Sequence, residues 1–379
     1  MKHIIRHWLG LLLLLGLVAC QSNPGANKKF ASVTPVRAIR LDYVNLADSR
    51  NQVTALESRI KQAGVNMVAV GAGRADWTFF PWAGHSDSWS RDVKSAGIDF
   101  LAEDSARFGK WAHVSAVVDV LAPLYIQAHP EEAAISWTGI PSKNLVGTIE
   151  LVEGNFGRQL LDMIQAIAAN YPVNSITLTE IVYHVDGYGP KDKAAYLTYT
   201  GRTDWPRLAD GQIDIADPSI GLWRSYEIGR LVEKAAAITH KYDKQLFVEV
   251  RASSDLKSDA TDKGTNYELM LKYADELVVW SNYDLAGHSP EYVREIVQTL
   301  RPLGSDRVIV SIGLWQNNSD EALLDKPNQA AIGANEVKIE LQAAQQGGMT
   351  NFWVTPSFLL GEEHWQVLTD LWGNHPVAP

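Results

Sequence analysis

Short apolar segments alternate with longer amphipathic segments along nearly the whole chain. Eight of the short segments are rich in β-branched residues and predict strands at residues 37–43, 66–72, 113–121, 175–183, 245–251, 276–282, 307–314 and 351–356. The longer segments predict helices at residues 50–63, 98–110, 154–170, 219–241, 264–274, 290–302, 333–346 and 361–373. Strands that alternate with helices in this way favour a parallel sheet.

Eight strands, each followed by a helix, predict an α/β protein with the (β/α)8 TIM barrel fold, as a single domain over residues 35–379. An open doubly wound sheet is the main alternative, and a glycine-rich turn would be expected after its first strand. The first strand instead runs into Leu41-Asp42-Tyr43-Val44-Asn45. The chain also lacks a Walker A motif and a dinucleotide fingerprint, so no cofactor is implied.

Residues 1–20 have the layout of an export signal. Lys2 and Arg6 precede an apolar run that is shorter than the roughly 20 residues of a membrane-spanning helix. The ending Leu17-Val18-Ala19-Cys20 resembles the lipobox of bacterial lipoproteins. This resemblance implies cleavage before Cys20 and attachment of acyl chains such as palmitate to it, with Gln21 favouring the outer membrane. An ordinary signal peptide is the alternative, and the polar residues 21–34 predict a flexible tether.

Composition narrows the classes of partner. Cys20 is the only cysteine, so the domain has no intramolecular disulfide. The net charge is -10 and there is no basic run, which argues against nucleic acid because its phosphates require a positive surface. Thirteen tryptophans are compatible with stacking on sugars and equally with core packing.

Polar residues at the carboxyl ends of barrel strands converge on one pocket, and the long connections 73–97 and 184–218 also lie at that face. Glycoside hydrolysis needs two carboxyl groups on either side of the scissile bond. The candidate catalytic residues are Glu180, Asp186, Glu249 and Asp284. The candidate substrate-binding residues are Asp42, Tyr43, Arg74, Asp119, His184, Arg251, Trp280, Asn282, Trp315 and Trp353.

Each candidate also has a purely structural interpretation. Glu180 and Glu249 lie inside apolar runs, where a charge is costly unless paired, and Arg251 is a candidate partner for Glu180. Metal binding is weakly indicated, because His85-Ser86-Asp87 and His184-Val185-Asp186 lack the spacing of a preformed zinc site. No G-x-S-x-G motif of a serine hydrolase is present.

Residues 125–190 resemble a known family. Tyr125-Ile-Gln-Ala-His-Pro-Glu-Glu-Ala and Asn174-Ser-Ile-Thr-Leu-Thr-Glu-Ile-Val-Tyr-His are similar to segments of bacterial glycoside-hydrolase-like barrel lipoproteins. In that family an "HPEWA"-type segment precedes a helix and a "DGIHLDYIRYP"-type fourth strand. The chain also looks like a distant relative of the C-terminal hydrolase domain of poly-N-acetylglucosamine deacetylase lipoproteins, whose "HDD"-type loop carries the catalytic acid. The resemblance aligns His184-Val185-Asp186 with that loop and implies that Asp186 is the acid. The sequence departs from the family strand at its aspartate, where Thr179 stands and Glu180 follows.

These observations favour an envelope-anchored glycoside hydrolase that acts on a polysaccharide or oligosaccharide by carboxylate acid/base catalysis. A non-catalytic glycan-binding barrel lipoprotein of a surface or export system is the first alternative. It is supported by the seventh strand, where Gly313-Leu314-Trp315-Gln316 offers no carboxylate. A metal-dependent hydrolase on the same barrel is the second alternative. The sequence leaves the sugar, the linkage and the stereochemistry open.

Overall fold

Eight parallel strands close into a barrel in the computed structural model, which describes residues 35–42, 50–183, 185–253, 260–316 and 331–373. The strands are β1 (Arg37–Leu41), β2 (Met67–Arg74), β3 (Trp77–Thr78), β4 (His113–Asp119), β5 (Ala133–Ile135), β6 (Pro141–Val146), β7 (Ser175–Thr179), β8 (Gln245–Arg251), β9 (Glu276–Trp280), β10 (Val308–Gly313) and β11 (Phe352–Thr355). The barrel order is β1, β2, β4, β7, β8, β9, β10 and β11, and pairing of β11 with β1 closes it. The predicted TIM barrel is confirmed.

Helices follow the barrel strands and cover the barrel from outside. The α-helices are Arg50–Gln62, Arg91–Ala96, Phe100–Phe108, Pro123–Ala128, Thr148–Val152, Asn155–Asn170, Pro190–Thr200, Pro218–Lys241, Tyr267–Leu271, Tyr292–Leu300, Ala334–Gln346 and Glu362–Leu368. Short 3-10 turns lie at Ser86–Ser88, Pro130–Glu132, Thr261–Lys263, Arg301–Leu303 and Ser357–Leu359, and a π turn at Thr369–Gly373. None of the described helices is long and apolar enough to span a bilayer.

The inward and outward faces of the strands build two apolar layers, because side chains alternate along a strand. Inside the barrel, a cluster that includes Met67, Val117, Phe247 and Ile309 fills the lower levels. Outside it, the opposite strand faces pack against the helices in the main core. The described residues all belong to one compact unit that spans residues 33–379.

Insertions after β4 and β7 form structure that the sequence pattern did not predict. After β4, the antiparallel hairpin β5–β6 stands between short helices, where the only predicted element was a helix at residues 154–170. After β7, the helix Pro190–Thr200 starts at Pro190 and ends where Gly201 adopts a left-handed conformation. Tyr196 stacks on Trp205 with ring centroids 4.2 Å apart, and both pack against Trp223, which fixes this insertion to the barrel. These elements have too little periodicity of their own to be recognised in the sequence.

Candidate active site

Arg40 joins two carboxylates across the mouth of the barrel. Its Nε lies 3.1 Å from Asp42 Oδ1, and its Nη1 lies 3.3 Å from Glu249 Oε2. β1 and β8 are the first and fifth strands around the ring of eight, so they lie on opposite sides. The contact between Arg40 and Glu249 therefore crosses the interior of the barrel, above the apolar levels.

Glu180 reaches the same interior through an unusual backbone conformation. Thr179 is the last residue of β7 and pairs in register with Asp119, so both belong to the inward face. A strand that continued regularly would point the next residue outward. Glu180 instead has φ of 64°, a left-handed conformation that is uncommon outside glycine and costs about 1–3 kcal/mol. Its side chain lines a small cavity together with Glu249, Arg251 and Trp280.

Asp119 and Arg74 continue the group on neighbouring strands. They lie in register at the ends of β4 and β2, and Asp119 Oδ1 accepts a hydrogen bond from the Leu121 amide at 2.7 Å. Arg74 donates from Nε to Asp76 at 3.0 Å, and Asp76 accepts two amide hydrogen bonds from the first turn of the helix Pro123–Ala128. Arg74 thus links the barrel mouth to the loop that follows β4.

We call Asp42, Asp119, Glu180 and Glu249 the carboxylate cluster. Burial raises the pKa of Asp42 to about 6, although the charge of Arg40 opposes the rise. Burial and the charge of Glu180 raise the pKa of Asp119. Burial also raises the pKa of Glu180, with Arg251 opposing and Glu249 adding to the rise. Burial therefore favours the protonated forms of Asp42, Asp119 and Glu180, and a general acid needs a raised pKa of this kind.

A cleft of about 390 Å³ lies beside the carboxylate cluster and shares Arg251 and Trp280 with the small cavity at Glu180. The Arg251 guanidinium lies over the Trp280 ring, 5.4 Å from its centroid. Trp315 stands next to Trp280 with ring centroids 6.1 Å apart. Trp280, predicted as a sugar-stacking residue, thus lies between the cleft and the cluster.

Asn282 lies two residues after the end of β9, and its side-chain amide lies against Gly313 of β10. A Cβ atom on Gly313 would be only 2.0 Å from Asn282 Oδ1, so the glycine leaves the space that the amide occupies. Asn282 also lines the cleft. β10, the seventh barrel strand, therefore has a glycine at the level where other strands have carboxylates. The side chain of Asn282 occupies the space above this glycine.

The described interactions of Asp186 involve Arg224 and not the members of the carboxylate cluster. Asp186 is half-buried, and its carbonyl oxygen accepts a hydrogen bond of 2.6 Å from Arg224 on the helix Pro218–Lys241. Burial raises the pKa of its carboxyl group, and Arg224 opposes the rise. Arg224 is itself buried and lies over the Tyr188 ring, so it positions the segment that follows Tyr183.

Asp284 and Trp353 have described interactions with other parts of the barrel. The charge of Asp284 acts on Tyr283 and on Glu340, a fully buried residue of the helix Ala334–Gln346, and contributes to the raised pKa of each. Trp353 is fully buried in the interior cluster of the barrel. Its indole is therefore core, which offers no open face for stacking on a sugar. Tyr43, His184 and Cys20 lie outside the described residues.

Arg40 is the main site residue that the sequence did not indicate. The signal for it was the alternation of strand side chains, because Arg40 lies two residues before Asp42 and so shares its face. Within the described parts of the chain, no group of three or more His, Cys, Asp or Glu side chains is arranged to hold a metal ion.

Comparison with solved structures finds the same barrel in several glycoside hydrolases. The PgaB (BpsB) glycoside hydrolase domain from Bordetella bronchiseptica aligns with a TM-score of 0.63 and 17% identity, over 89% of this chain and 99% of that chain. The chain shares the (β/α)8 barrel fold of that domain. The catalytic domain of a beta-amylase from Paenibacillus polymyxa aligns with a TM-score of 0.60 and 10% identity, over 90% of this chain and 98% of that chain. A beta-galactosidase from Marinomonas ef1 aligns with a TM-score of 0.63 and 10% identity, over 88% of this chain and 58% of that chain.

The predicted resemblance to glycoside-hydrolase-like barrels is confirmed at the level of the fold. No protein-family model matches the chain, and no curated protein matches its sequence. A barrel of this kind supports many chemistries, so the activity has to be argued from the side chains of the site.

Proposed function

We propose that the protein is a glycoside hydrolase that cleaves a polysaccharide, with Glu180 as general acid and Glu249 as the second carboxylate. One observation carries the proposal. The left-handed backbone at Glu180 brings its side chain to a cavity that it shares with Glu249. A strained residue at the end of a barrel strand indicates a functional constraint, because packing alone would favour the regular conformation.

Each carboxyl group has an environment suited to its role. Burial raises the pKa of Glu180, which favours the protonated form that a general acid needs to protonate the leaving oxygen of the glycosidic bond. Arg40 Nη1 lies 3.3 Å from Glu249 Oε2, so a cation stands against the carboxylate that is proposed to attack the sugar or to activate water. As the C–O bond breaks, the proton of Glu180 passes to the leaving oxygen, and the anomeric carbon accepts the nucleophile. In this proposal Asp42 and Asp119 bind sugar hydroxyls beside the reacting bond.

Loss of cleavage in two matched variants tests the proposal. The purified protein is incubated with a panel of bacterial exopolysaccharides, and new reducing ends are counted. Glu180→Gln and Glu249→Gln should each lower the rate at least about a hundredfold, since they remove acid or base catalysis. Asp162→Asn is the control, because this carboxylate is exposed on the outer helix Asn155–Asn170, and the variant should retain most of the rate. Unchanged cleavage by Glu180→Gln would refute the assignment.

Asp186→Asn decides between Glu180 and the acid that the family resemblance implies. A hundredfold loss in Asp186→Asn with little effect of Glu180→Gln would transfer the role to Asp186. Binding of glycan without cleavage, lost in Trp280→Ala or Trp315→Ala, would instead indicate a non-catalytic glycan-binding barrel. The anomeric configuration of the first product, followed by NMR, assigns a retaining or inverting mechanism.

We further propose that the protein is anchored in the cell envelope by acyl chains on Cys20. The lipobox-like ending Leu17-Val18-Ala19-Cys20 supports this, and Gln21 supports the outer membrane. Cells grown with radiolabelled palmitate should incorporate label into the parent but not into Cys20→Ser, and the label should sediment with outer-membrane fractions. Equal labelling of both chains, or parent label in the inner membrane alone, would contradict the proposal.

A further inference from the structure

The cleft beside the carboxylate cluster is lined by cations. Arg251 comes from the end of β8 and Lys263 from the turn Thr261–Lys263, and no Asp or Glu is among its described lining residues. The Asp262 carboxylate lies 3.5 Å from the Lys263 ammonium and accepts a hydrogen bond from Ser253. The described lining of the cleft therefore carries two cationic side chains and no carboxylate, in a chain whose net charge is -10.

Aromatic rings stand beside these cations. Arg251 is exposed and lies over the ring of Trp280, which orients its planar guanidinium by a cation–π contact. On the other wall, His288 stacks on Tyr292 with ring centroids 3.8 Å apart and an interplanar angle of 20°. A guanidinium held in this way donates two parallel hydrogen bonds to an oxyanion, while flat rings pack on the apolar face of a sugar.

The size of the cleft fits a small part of a polymer. Its volume of about 390 Å³ lies at the lower end of the range of about 300–1,000 Å³ for ligand pockets. It shares Arg251 and Trp280 with the cavity at Glu180 and Glu249. A sugar bound in the cleft therefore lies next to the bond that the carboxylate cluster is proposed to cleave.

We propose that the cleft is a subsite for a sugar unit with an anionic substituent, whose carboxylate or sulfate is bound by Arg251 and Lys263. This inference rests on the proposed function and specifies its substrate class as an acidic polysaccharide. Arg251 also links binding to the reaction. Its charge opposes the raised pKa of Glu180, and an anion on Arg251 offsets that charge, which favours the protonated acid.

Binding of matched oligosaccharides tests the inference. The full chain, purified in detergent with Glu180→Gln to prevent turnover, is titrated calorimetrically with oligomers of galacturonate, glucuronate, mannuronate and guluronate. The affinity for each oligomer is compared with the affinity for its carboxyl-reduced neutral form. Sulfated oligomers and glucosamine oligomers are titrated in the same way. At least one acidic oligomer should bind about tenfold or more tightly than its neutral form, and salt should weaken this preference. If the tightest acidic oligomer is sulfated, the substituent is a sulfate rather than a carboxylate.

Variants locate the effect in the cleft. Arg251→Gln should weaken binding of the acidic oligomer about tenfold and Lys263→Gln about threefold. Lys143→Gln makes the same change of charge on exposed strand β6 and should have no effect. The inference is overturned if no acidic oligomer binds better than its neutral or glucosamine counterpart, or if Lys143→Gln acts like Lys263→Gln.

The two proposals fail in different experiments. Selective binding of acidic oligomers by a parent protein that releases no product would retain the subsite and refute the hydrolase. Cleavage of neutral polymers with no preference for acidic ones would retain the hydrolase and refute the subsite.

Discussion

Glu276 provides a test of the energetics of the barrel that is independent of its function. It is the first residue of β9 and lies at the opposite end of that strand from Trp280. It is buried, and its Oε2 has no hydrogen-bond partner among the described residues. Burial and the charges of Asp275 and Asp306 raise its pKa from 4.5 to about 8, with Arg307 opposing the rise.

The free energy that this environment costs depends on pH in a predictable direction. Because the folded pKa is higher than the unfolded one, the folded state binds the proton more tightly, and stability falls as pH rises from 4.5 towards 8. At about 1.4 kcal/mol per pKa unit, the loss is about 3 kcal/mol at pH 7 and about 5 kcal/mol above pH 8. Glu276→Gln removes the ionisable group with little change of shape. The variant should therefore regain the free energy of unfolding that the parent loses at each pH.

Urea unfolding of the parent and Glu276→Gln between pH 4.5 and 9 measures the difference. The variant should be about as stable as the parent at pH 4.5 and more stable by about 3 kcal/mol at pH 7. Other buried carboxyl groups titrate in both proteins, so they cancel in the difference. Glu233→Gln, on an exposed helical surface, is the control, and its difference in free energy of unfolding from the parent should not change with pH. If the difference for Glu276→Gln does not change with pH either, the raised pKa of Glu276 is refuted.

Three further predictions concern the barrel interior. Arg40→Met leaves Asp42 and Glu249 buried without their cation. Urea unfolding at pH 7 should show a free energy of unfolding lower by about 3–5 kcal/mol than that of the parent. A loss below about 1 kcal/mol would contradict the role of Arg40. Burial lowers the pKa of His113 from 6.5 to about 4, so the parent should lose about 3 kcal/mol as pH falls across this range, and His113→Gln should not. Equal pH slopes for the two proteins would count against this. Gly313→Ala places a methyl group against Asn282 and should lower the melting temperature, whereas Gly313→Ala combined with Asn282→Ala should recover it; no recovery would mean that the strain lies elsewhere.

The strands could be predicted because their signal is local. Segments such as Val308–Gly313 and Gln245–Arg251 are rich in apolar and β-branched residues, which predicted their positions as strands. Each is followed in the sequence by a segment with helical periodicity, which predicted that the strands are parallel. The hairpin β5–β6 could not be predicted in the same way. Its strands are short, and β6 is largely exposed, so its residues carry no alternation of apolar and polar positions.

The site was predictable only in part. Glu180 and Glu249 follow from the rule that strand ends converge, and the structure brings them to one cavity. The left-handed turn at Glu180 has no signature in residue type, since glutamate rarely adopts it. Asp186 interacts with Arg224, and Asp284 acts on Glu340 of the helix Ala334–Gln346; these partners are distant in sequence, so the sequence did not indicate them.

The contact of Arg40 with Glu249 makes the site dependent on both halves of the barrel. The first four barrel strands end before residue 180, and the second four begin after residue 244, so the two partners lie on opposite halves. Two fragments divided within residues 202–216 would each carry one partner of the ion pair: Arg40 would keep its contact with Asp42, and Glu249 would lack Arg40 until the other fragment docked. Assembly of the two fragments and formation of the carboxylate cluster are therefore a single event, and the ion pair selects for correct closure of the barrel.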